Sequence, residues 1–373
     1  MARIALVYVY SPVSTPDHLH LAQAFAACGH EAYLFTGNDS GQIDSSACTS
    51  AGSKELDVLP GSPALWAGSR RAWARAARAI GVRLKALRAD LVFVYLPKAA
   101  WLVPLFGPRK TTYILDVRQA GRSHDPGVRG ALSDVATRIR LLGQRCLLFD
   151  GMSFLSREQQ RWAVGLPSAW LSHVVPLGVP AAFLTTPRQP STSGTTEFIY
   201  SGTLATERRL EVLLEAAAIV RRTANRFMLT LAGPDGSNGH YSRVVQSMGL
   251  ESVVRFTGAL GMAELALSIQ RAHVALAYVP LTRVYTHQPS LKAIEYRALG
   301  IPIIGTATAH NRQLILEGKN GLVIDDSAEQ LADAMLATMQ PGWLARASAL
   351  AQAMRSGITW EHVARRYIET FLA

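Results

Sequence analysis

The sequence predicts an α/β protein with two Rossmann-like, doubly wound parallel-sheet domains. Its 373 residues exceed one typical hydrophobic core and fit two domains of about 150 to 200 residues. Short apolar strand patterns alternate with helix patterns in both halves of the chain. Between the halves lies TTPRQPSTSGTT, residues 185–196, which has no aliphatic residues and no periodicity, and therefore indicates a linker.

The first half repeats a strand–helix–strand pattern. Arg3–Tyr10 predicts a first strand, and the apolar face over Leu19–Cys28 predicts a helix that ends at Gly29. Further strands are predicted at Glu31–Thr36, Leu91–Tyr95, Thr112–Asp116, Gly151–Leu155 and His173–Pro176. Because such units pack parallel strands beneath helices, we assign residues 1–184 to a first parallel-sheet domain.

The second half starts a new series of strands and helices. The predicted strands are Phe198–Tyr200, Phe227–Ala232, Val253–Phe256, Val274–Tyr278, Pro302–Gly305 and Gly321–Ile324. The predicted helices are Leu210–Arg222, Tyr241–Met248, Met262–Ala272, Leu291–Leu299, Ala328–Met339, Gly342–Met354 and Glu361–Leu372. We assign residues 197–358 to the second domain and expect the last helix, within 359–373, to pack back on the first. Two such domains are expected to face a cleft at the carboxyl ends of their strands, where ligands bind.

Composition narrows the class of protein. Hydrophobic residues make up 49% and charged residues 17%, which is typical of a packed globular protein. No run approaches the roughly 18 apolar residues of a membrane span, and the first nine residues do not match a signal peptide. We therefore expect a cytoplasmic protein, with peripheral contact to the inner face of the cytoplasmic membrane left open. Three scattered cysteines predict neither disulfides nor a zinc site.

Positive charge is concentrated in the first half. The net charge is +11, and residues 1–185 hold 20 Lys and Arg against 12 Asp and Glu. This excess predicts an anionic partner, which could be a membrane surface, a phosphorylated acceptor or a nucleic acid. The basic residues form no recognised nucleic-acid motif, so no nucleic-acid partner is expected.

Residues 66–88 contain seven basic residues and no acidic one. Trp73, Ala77, Ile80, Leu84 and Leu87 recur at helical spacing and form one apolar face. Arginines beside this face, including Arg75 and Arg78, would lie at the level of lipid headgroups. We predict membrane or acceptor contact for Trp73, Arg75 and Arg78. The alternative is an ordinary helix that packs on the sheet with its arginines in water.

A glycine turn follows the strand at Phe198–Tyr200. Gly202 and Thr203 stand between this strand and the next helix, where backbone N–H groups can face a phosphate, and Arg208 follows six residues later. The alternative is a turn with no ligand, because glycine ends strands throughout α/β domains.

The segment Ser290–Pro302 is more specific. Ser290 is a candidate N-cap, followed by Leu291 and by Lys292 in the first helical turn. A cation there opposes the helix dipole, and a bound phosphate would compensate it. Glu295 lies on nearly the same face, where its carboxylate could accept from two vicinal hydroxyls. A nucleotide sugar offers both a diphosphate and a ribose diol. The alternative is an i,i+3 salt bridge.

Taken together, these motifs resemble the donor-binding domain of the retaining glycosyltransferase family four, which has the two-Rossmann GT-B fold. The matching segments are Tyr200–Leu204, Glu207–Arg208, Leu213–Ala216, Leu229–Gly233, Val254–Gly258, Pro289–Pro302 and Asn320–Leu322. The first half is similar more loosely, at Ala24–Glu31, Leu115–Arg118 and Val175–Val179.

The resemblance implies roles for individual residues. Gly202, Arg208 and Lys292 would hold the donor diphosphate, Glu295 would bind the ribose, and Phe256 and Gly258 would border the base. The donor-binding set implied in full is Gly202, Thr203, Arg208, Phe256, Gly258, His287, Ser290, Leu291, Lys292 and Glu295. On the acceptor side, Asp116 and Arg118 would face the acceptor or the transferred sugar. We add His124 to this predicted catalytic set as a candidate acid or base, because it lies in the glycine-containing loop that follows them.

The resemblance also has departures. The family often has a Glu where this chain has His287, which leaves the identity of the sugar open. No Asp-x-Asp motif occurs, so we expect no metal and no cofactor other than the donor substrate. The predicted activity is transfer of a hexose-type sugar from a nucleoside-diphosphate sugar to a carbohydrate, lipid-linked acceptor in cell-surface polysaccharide or lipopolysaccharide assembly. A sugar-nucleotide epimerase of the same fold and a non-catalytic nucleotide- or lipid-binding partner remain alternatives.

Overall fold

The computed structural model describes residues 1–8, 16–36, 57–60, 70–95, 100–118, 127–165, 172–224 and 226–372. The chain divides into two compact units. The first unit comprises residues 1–178 and 358–373, and the second unit comprises residues 179–357. Each unit is built on its own parallel sheet, which confirms the predicted α/β class. No helix in these described ranges is both long enough and apolar enough to span a membrane.

The first unit has seven strands and six described α-helices. The strands are β1 Arg3–Val7, β2 Glu31–Thr36, β3 Asp57–Pro60, β4 Leu91–Tyr95, β5 Thr112–Val117, β6 Gly151–Phe154 and β7 Ser172–Val174. The helices are α1 Pro16–Ala27, α2 Arg70–Leu87, α3 Val103–Phe106, α4 Val128–Leu148, α5 Arg157–Val164 and, at the end of the chain, α14 Trp360–Phe371. Composition and spacing predicted most of these strands, but neither α4 nor α5.

The first sheet is parallel throughout, in the order β3-β2-β1-β4-β5-β6-β7. Ile4 of β1 pairs with Ala32 on one side and with Leu91 on the other. The strand order therefore reverses between β1 and β4. In open parallel sheets, ligands bind beside the carboxyl ends of the strands at such a reversal.

The last helix belongs to the first unit. α14 packs on α1, and its Tyr367 is buried 4.7 Å from the ring of Phe93 (between centroids). Trp360, at the start of α14, lies against Gly178, where an added Cβ would come within 2.9 Å of the tryptophan Cα. Residues 358–373 thus complete the core of the first unit.

The second unit has eight strands and eight α-helices within 179–224 and 226–357. The strands are β8 Thr196–Ser201, β9 Leu204–Ala205, β10 Phe227–Ala232, β11 Asp235–Gly236, β12 Val254–Gly258, β13 Val274–Ala277, β14 Ile303–Thr306 and β15 Gly321–Ile324. The helices are α6 Ala181–Thr185, α7 Glu211–Thr223, α8 His240–Ser247, α9 Met262–Arg271, α10 Leu291–Leu299, α11 Ala309–Leu314, α12 Ala328–Thr338 and α13 Pro341–Ala353.

The main sheet of the second unit has the order β12-β10-β8-β13-β14-β15 and is again parallel, while β9 and β11 form a separate pair. Here the order reverses between β8 and β13. Their carboxyl ends carry Ser201 and Ala277, so the expected ligand position lies beside Gly202 and Tyr278, which follow them directly.

Candidate functional site

Three glycines crowd the carboxyl edge of the second sheet. Gly202, Gly233 and Gly258 follow or end β8, β10 and β12, and all three have positive φ (139°, 150° and 69°). A Cβ at Gly233 would lie 2.1 Å from the Gly202 carbonyl oxygen, so only glycine allows the two turns to touch. This crowding makes the edge a surface of bare backbone.

The Gly202 amide is already used within the unit, because it donates to the Ala232 carbonyl at 2.9 Å. This N–H group therefore has a partner within the unit, and phosphate binding at the Gly202 turn stays a prediction. The glycine also leaves space beside Lys292: the Lys292 Cε and Nζ would both lie 3.8 Å from a Cβ at position 202. Thr203, the next residue, is half-buried.

Lys292 lies at the reversal of strand order. Its Nζ donates to the Tyr278 carbonyl at 3.1 Å and lies 4.0 Å from the centroid of the Tyr200 ring. Burial lowers the pKa of Lys292 well below its ordinary value, the positive charge of Arg208 lowers it further, and Glu295 partly opposes them. A ligand with negative charge at this point would stabilise the charged ammonium.

The helix α10 fixes Lys292 in place. As the sequence predicts, Ser290 is its N-cap, and the Ser290 hydroxyl accepts from the Ala293 amide at 3.4 Å. The Tyr296 hydroxyl accepts from the Ser201 amide at 2.8 Å and so ties α10 to the end of β8. Glu295 is buried one turn after Lys292, and Leu291 is half-buried.

Arg208 supplies the second positive charge. It ends a short 3-10 turn, Thr206–Arg208, and its guanidinium lies 4.9 Å from the centroid of the Tyr285 ring. Its charge lowers the pKa of Lys292, so the two cations act on the same space. Gly202 and Arg208, which are far from Lys292 and Glu295 in the sequence, therefore converge with them.

Two tyrosines and one aspartate of this region were missed by the sequence reasoning. The Tyr278 hydroxyl donates to Asp326 at 2.6 Å, and Arg209 and the Leu281 amide also donate to that carboxylate. The Tyr200 hydroxyl is buried without a hydrogen-bond partner among the described residues. Both tyrosines stand at the ends of predicted strands, β8 and β13, and that position was the available signal.

The remaining predicted donor residues flank this cluster. Phe256 is half-buried against the core and pairs with Leu231 across the sheet, while Gly258 is exposed at the strand end. His287 is half-buried in the turn before α10. These positions fit the edge of a ligand site, and their assigned roles stay predictions.

The first unit holds a buried charge network at its own reversal of strand order. The Arg118 Nε donates to Asp116 at 2.6 Å, and its Nη1 donates to Asp17 at 2.7 Å. His18 lies 3.2 Å from Asp17 and 3.7 Å from Asp116, and its ring stacks on Tyr8 with centroids 3.6 Å apart. Tyr8 follows β1 directly, so the network marks the end of that strand.

Asp116 has internal partners on both carboxylate oxygens. Ser153 donates to Oδ1 at 2.7 Å, the Tyr367 hydroxyl lies 3.4 Å from the same oxygen, and only 2% of the residue is exposed. Burial raises the pKa of Asp116, but Arg118 and His18 outweigh it and lower the pKa to about 2. This geometry supports a positioning role for Asp116 and Arg118, which are both buried, more than direct contact with a substrate.

Other predictions fall on helix α2 or outside the described residues. Arg75 and Arg78 are exposed, whereas Ala77, Ile80 and Leu84 are buried, so the basic helix packs its apolar face on the unit. The side chain of Trp73 and the whole of His124 lie outside the described residues. Asp17 and His18 were not among the predicted site residues, and their acidic–histidine pair at a helix start was the available signal. The described part of the chain contains no group of three or more His, Cys, Asp or Glu arranged to hold a metal.

Comparison with known proteins gives a family match in the second unit. Residues 195–340 match the family described as Glycosyl transferases group 1. D-inositol 3-phosphate glycosyltransferase from Frankia alni is 28% identical over 186 residues. That match spans 46% of this chain and 44% of the relative, less than half of its length.

Solved structures share the fold of both units. Sucrose-phosphate synthase from Thermosynechococcus elongatus superposes with a TM-score of 0.72 at 17% identity, covering 98% of each chain. HepE from Anabaena, solved with UDP and glucose, gives 0.71 at 14% identity and 99% of each chain. These likenesses confirm the expected GT-B fold.

Proposed function

We propose that this chain, whose second unit contains a glycosyl transferases group 1 domain, transfers a sugar from a nucleoside-diphosphate sugar to an acceptor. One observation carries the proposal: Lys292 lies beside Gly202 at the strand reversal of that domain, close enough to Arg208 for the two charges to interact. This is the position where a parallel α/β sheet binds nucleotides.

The chemistry of the site suits a leaving nucleoside diphosphate. When the bond between the sugar and the diphosphate breaks, negative charge develops on the phosphate oxygen. Lys292 and Arg208 would offset that charge without moving, because Tyr278, Tyr200 and Tyr285 already hold them. Glu295 on the same helix would accept hydrogen bonds from the ribose hydroxyls.

The acceptor side is proposed for the first unit. The network of Asp17, Asp116 and Arg118 ties the start of α1 to the carboxyl end of β5, and His18 lies beside it. His124 remains a predicted acid or base. Retention of the anomeric configuration rests on the resemblance to family four.

The proposed acceptor is a carbohydrate carried on a lipid in cell-surface polysaccharide or lipopolysaccharide assembly. The excess of Lys and Arg in residues 1–185 supports an anionic acceptor or a negatively charged membrane surface. The exposed Arg75 and Arg78 on α2 are placed on the surface, where such contacts form. The enzyme would then act as a peripheral protein on the inner face of the cytoplasmic membrane.

A panel of nucleotide sugars tests the activity. Wild type is incubated with UDP-, ADP- and GDP-sugars in the presence of membrane extract, and sugar transfer is followed by mass spectrometry. We expect transfer from one donor class and its loss in Lys292→Ala and Glu295→Ala. Interconversion of the sugar on its nucleotide would point to the epimerase instead, and tight nucleotide binding without turnover would point to a non-catalytic partner.

A further inference from the structure

The helix α4 has the reverse of the usual distribution of polar and apolar residues on a surface helix. Its buried residues are mostly polar or small: Gly130, Asp134, Thr137, Leu141 and Gln144. Its outward residues are apolar and between 51% and 81% exposed: Val128, Leu132, Val135, Ile139 and Leu147. A helix that only covers a core has the opposite arrangement, with polar residues in water.

Four of the outward apolar residues form one row. Val128, Leu132, Val135 and Ile139 are separated by four, three and four residues, so each lies about one helical turn from the next. The exposed Cys146 continues the row, which then extends about 27 Å along the helix. Scattered exposed leucines are common on protein surfaces, whereas a row of this length marks an interaction surface. We call Val128, Leu132, Val135, Ile139 and Cys146 the α4 stripe; the exposed Leu147 lies about 100° to one side of it.

Arginines border the stripe on both sides. At 3.6 residues per turn, Arg129 lies about 100° to one side of it, and Arg138 and Arg145 lie about 100° to the other. Arg140 is on the same side as Arg129, but its Nε and Nη2 atoms are buried. The one acidic residue of the helix, Asp134, is buried on the opposite face. The outward half of α4 therefore carries apolar groups in the middle and positive charge along both edges.

Two of these arginines lie along the surface of the unit. The Arg138 guanidinium lies 5.1 Å from the centroid of the Trp162 ring, and Arg145 donates to the Phe149 carbonyl. The guanidinium groups of Arg138 and Arg145 thus lie close to the surface of the unit and do not extend outward past the apolar side chains of the stripe. A flat partner could receive the apolar row while meeting the arginines at its surface.

We propose that the α4 stripe docks the first unit on an anionic lipid surface, with α4 lying in the plane of the membrane. The apolar side chains would enter the boundary between headgroups and acyl chains, and the flanking arginines would meet lipid phosphates. Charge favours lipid over a second copy of the chain, because two copies would bring the same arginine rows together. The proposal rests on the proposed function in one respect, because an enzyme with a lipid-linked acceptor would act at the membrane surface.

Vesicle binding tests the stripe. The full chain is sedimented with vesicles of phosphatidylglycerol and phosphatidylethanolamine, and with vesicles of phosphatidylcholine alone. We expect binding to the anionic vesicles and a drop of about tenfold or more in the partition coefficient of L132S/I139S. L267S/L350S is the matched control, because it replaces exposed leucines of the second unit with the same residue and no change in net charge. The control should bind like wild type.

A dye on Cys146 tests the orientation. With Cys28→Ser and Cys48→Ser in the background, an environment-sensitive fluorophore on Cys146 should shift to the blue on anionic vesicles. The same fluorophore at Leu267→Cys, in a chain that also carries Cys146→Ser, should not shift. This comparison reports insertion of the stripe itself and does not depend on the fold of the serine variants.

Other outcomes overturn the proposal. Wild type that ignores anionic vesicles, or L132S/I139S that binds them like wild type, removes the membrane role. Light scattering that shows a wild-type dimer and a monomeric L132S/I139S would assign the stripe to a second copy. Calorimetry with UDP, ADP and GDP, without vesicles, separates the two proposals. A wild type that binds none of the three rejects the donor site alone, and a wild type that binds one of them but no anionic vesicles rejects the stripe alone.

Discussion

Replacing Lys292 by methionine should weaken binding of a nucleoside diphosphate about 30- to 150-fold. Two unit charges about 4 Å apart attract by about 4 kcal/mol at the effective dielectric of a protein site. Burial and Arg208 lower the pKa of Lys292, so part of that energy is used to protonate the amine. We therefore expect the methionine variant to lose about 2 to 3 kcal/mol of binding free energy.

Proton uptake makes this prediction specific. Because the pKa of Lys292 is lowered in the free protein and raised by a bound phosphate, binding should take up a proton, and affinity should fall as pH rises through the lowered pKa. Calorimetry with UDP in two buffers of different ionisation enthalpy measures the uptake. Lys292→Met should abolish it, and Lys292→Arg should keep charge at every pH and lose the pH dependence.

Lys319→Met is the matched control, since it removes an exposed lysine of the same unit. It should bind UDP within about twofold of wild type, as expected for a distant, screened charge. If Lys292→Met binds UDP as wild type does, or if proton uptake persists in it, the assignment of Lys292 to the phosphates is wrong.

Three further outcomes are expected. Glu295→Gln should weaken UDP binding about tenfold, the loss of one charge-assisted hydrogen bond, and leave pyrophosphate binding unchanged in calorimetry. Gly233→Ala should lower the free energy of unfolding by about 1 to 3 kcal/mol more than Gly318→Ala does in thermal melts, because both have positive φ but only Gly233 faces a backbone collision. Arg118→Met should destabilise the chain by about 3 to 5 kcal/mol in urea, because it leaves buried carboxylates unpaired. In wild type the lowered pKa of Asp116 stabilises the fold above about pH 4, and this contribution should disappear as the pH falls towards 2.

The sequence predicts the second unit better than the first because its site is built from local signals. Ser290 caps α10 as expected, and the spacing from Lys292 to Glu295 puts both on one face of that helix. The glycine at 202 was also expected, but not the use of its amide by Ala232, because that bond depends on how β8 and β10 pair across the sheet.

The first unit shows what local patterns miss. Arg118 pairs with Asp17, which is 101 residues away in sequence, and only the packing of α1 against the strand ends brings them together. The helix α4 was missed for another reason. Its apolar residues recur at helical spacing, but the sequence does not show that they face outward while Asp134 faces inward.

The pKa of the buried cation is shifted in opposite directions in the two charged clusters, upward for Arg118 and downward for Lys292. In the first unit, Asp116 and Asp17 outweigh burial and raise the pKa of Arg118 well above its ordinary value, so the fold itself compensates the buried cation. In the second unit, burial and Arg208 lower the pKa of Lys292, and the fold holds a cation that its surroundings disfavour. A compensated cluster needs no ligand and fixes strand ends in place. A disfavoured cation at a reversal of strand order would be stabilised further by a bound anion, and this difference is the reason for proposing a structural role for Arg118 and a binding role for Lys292.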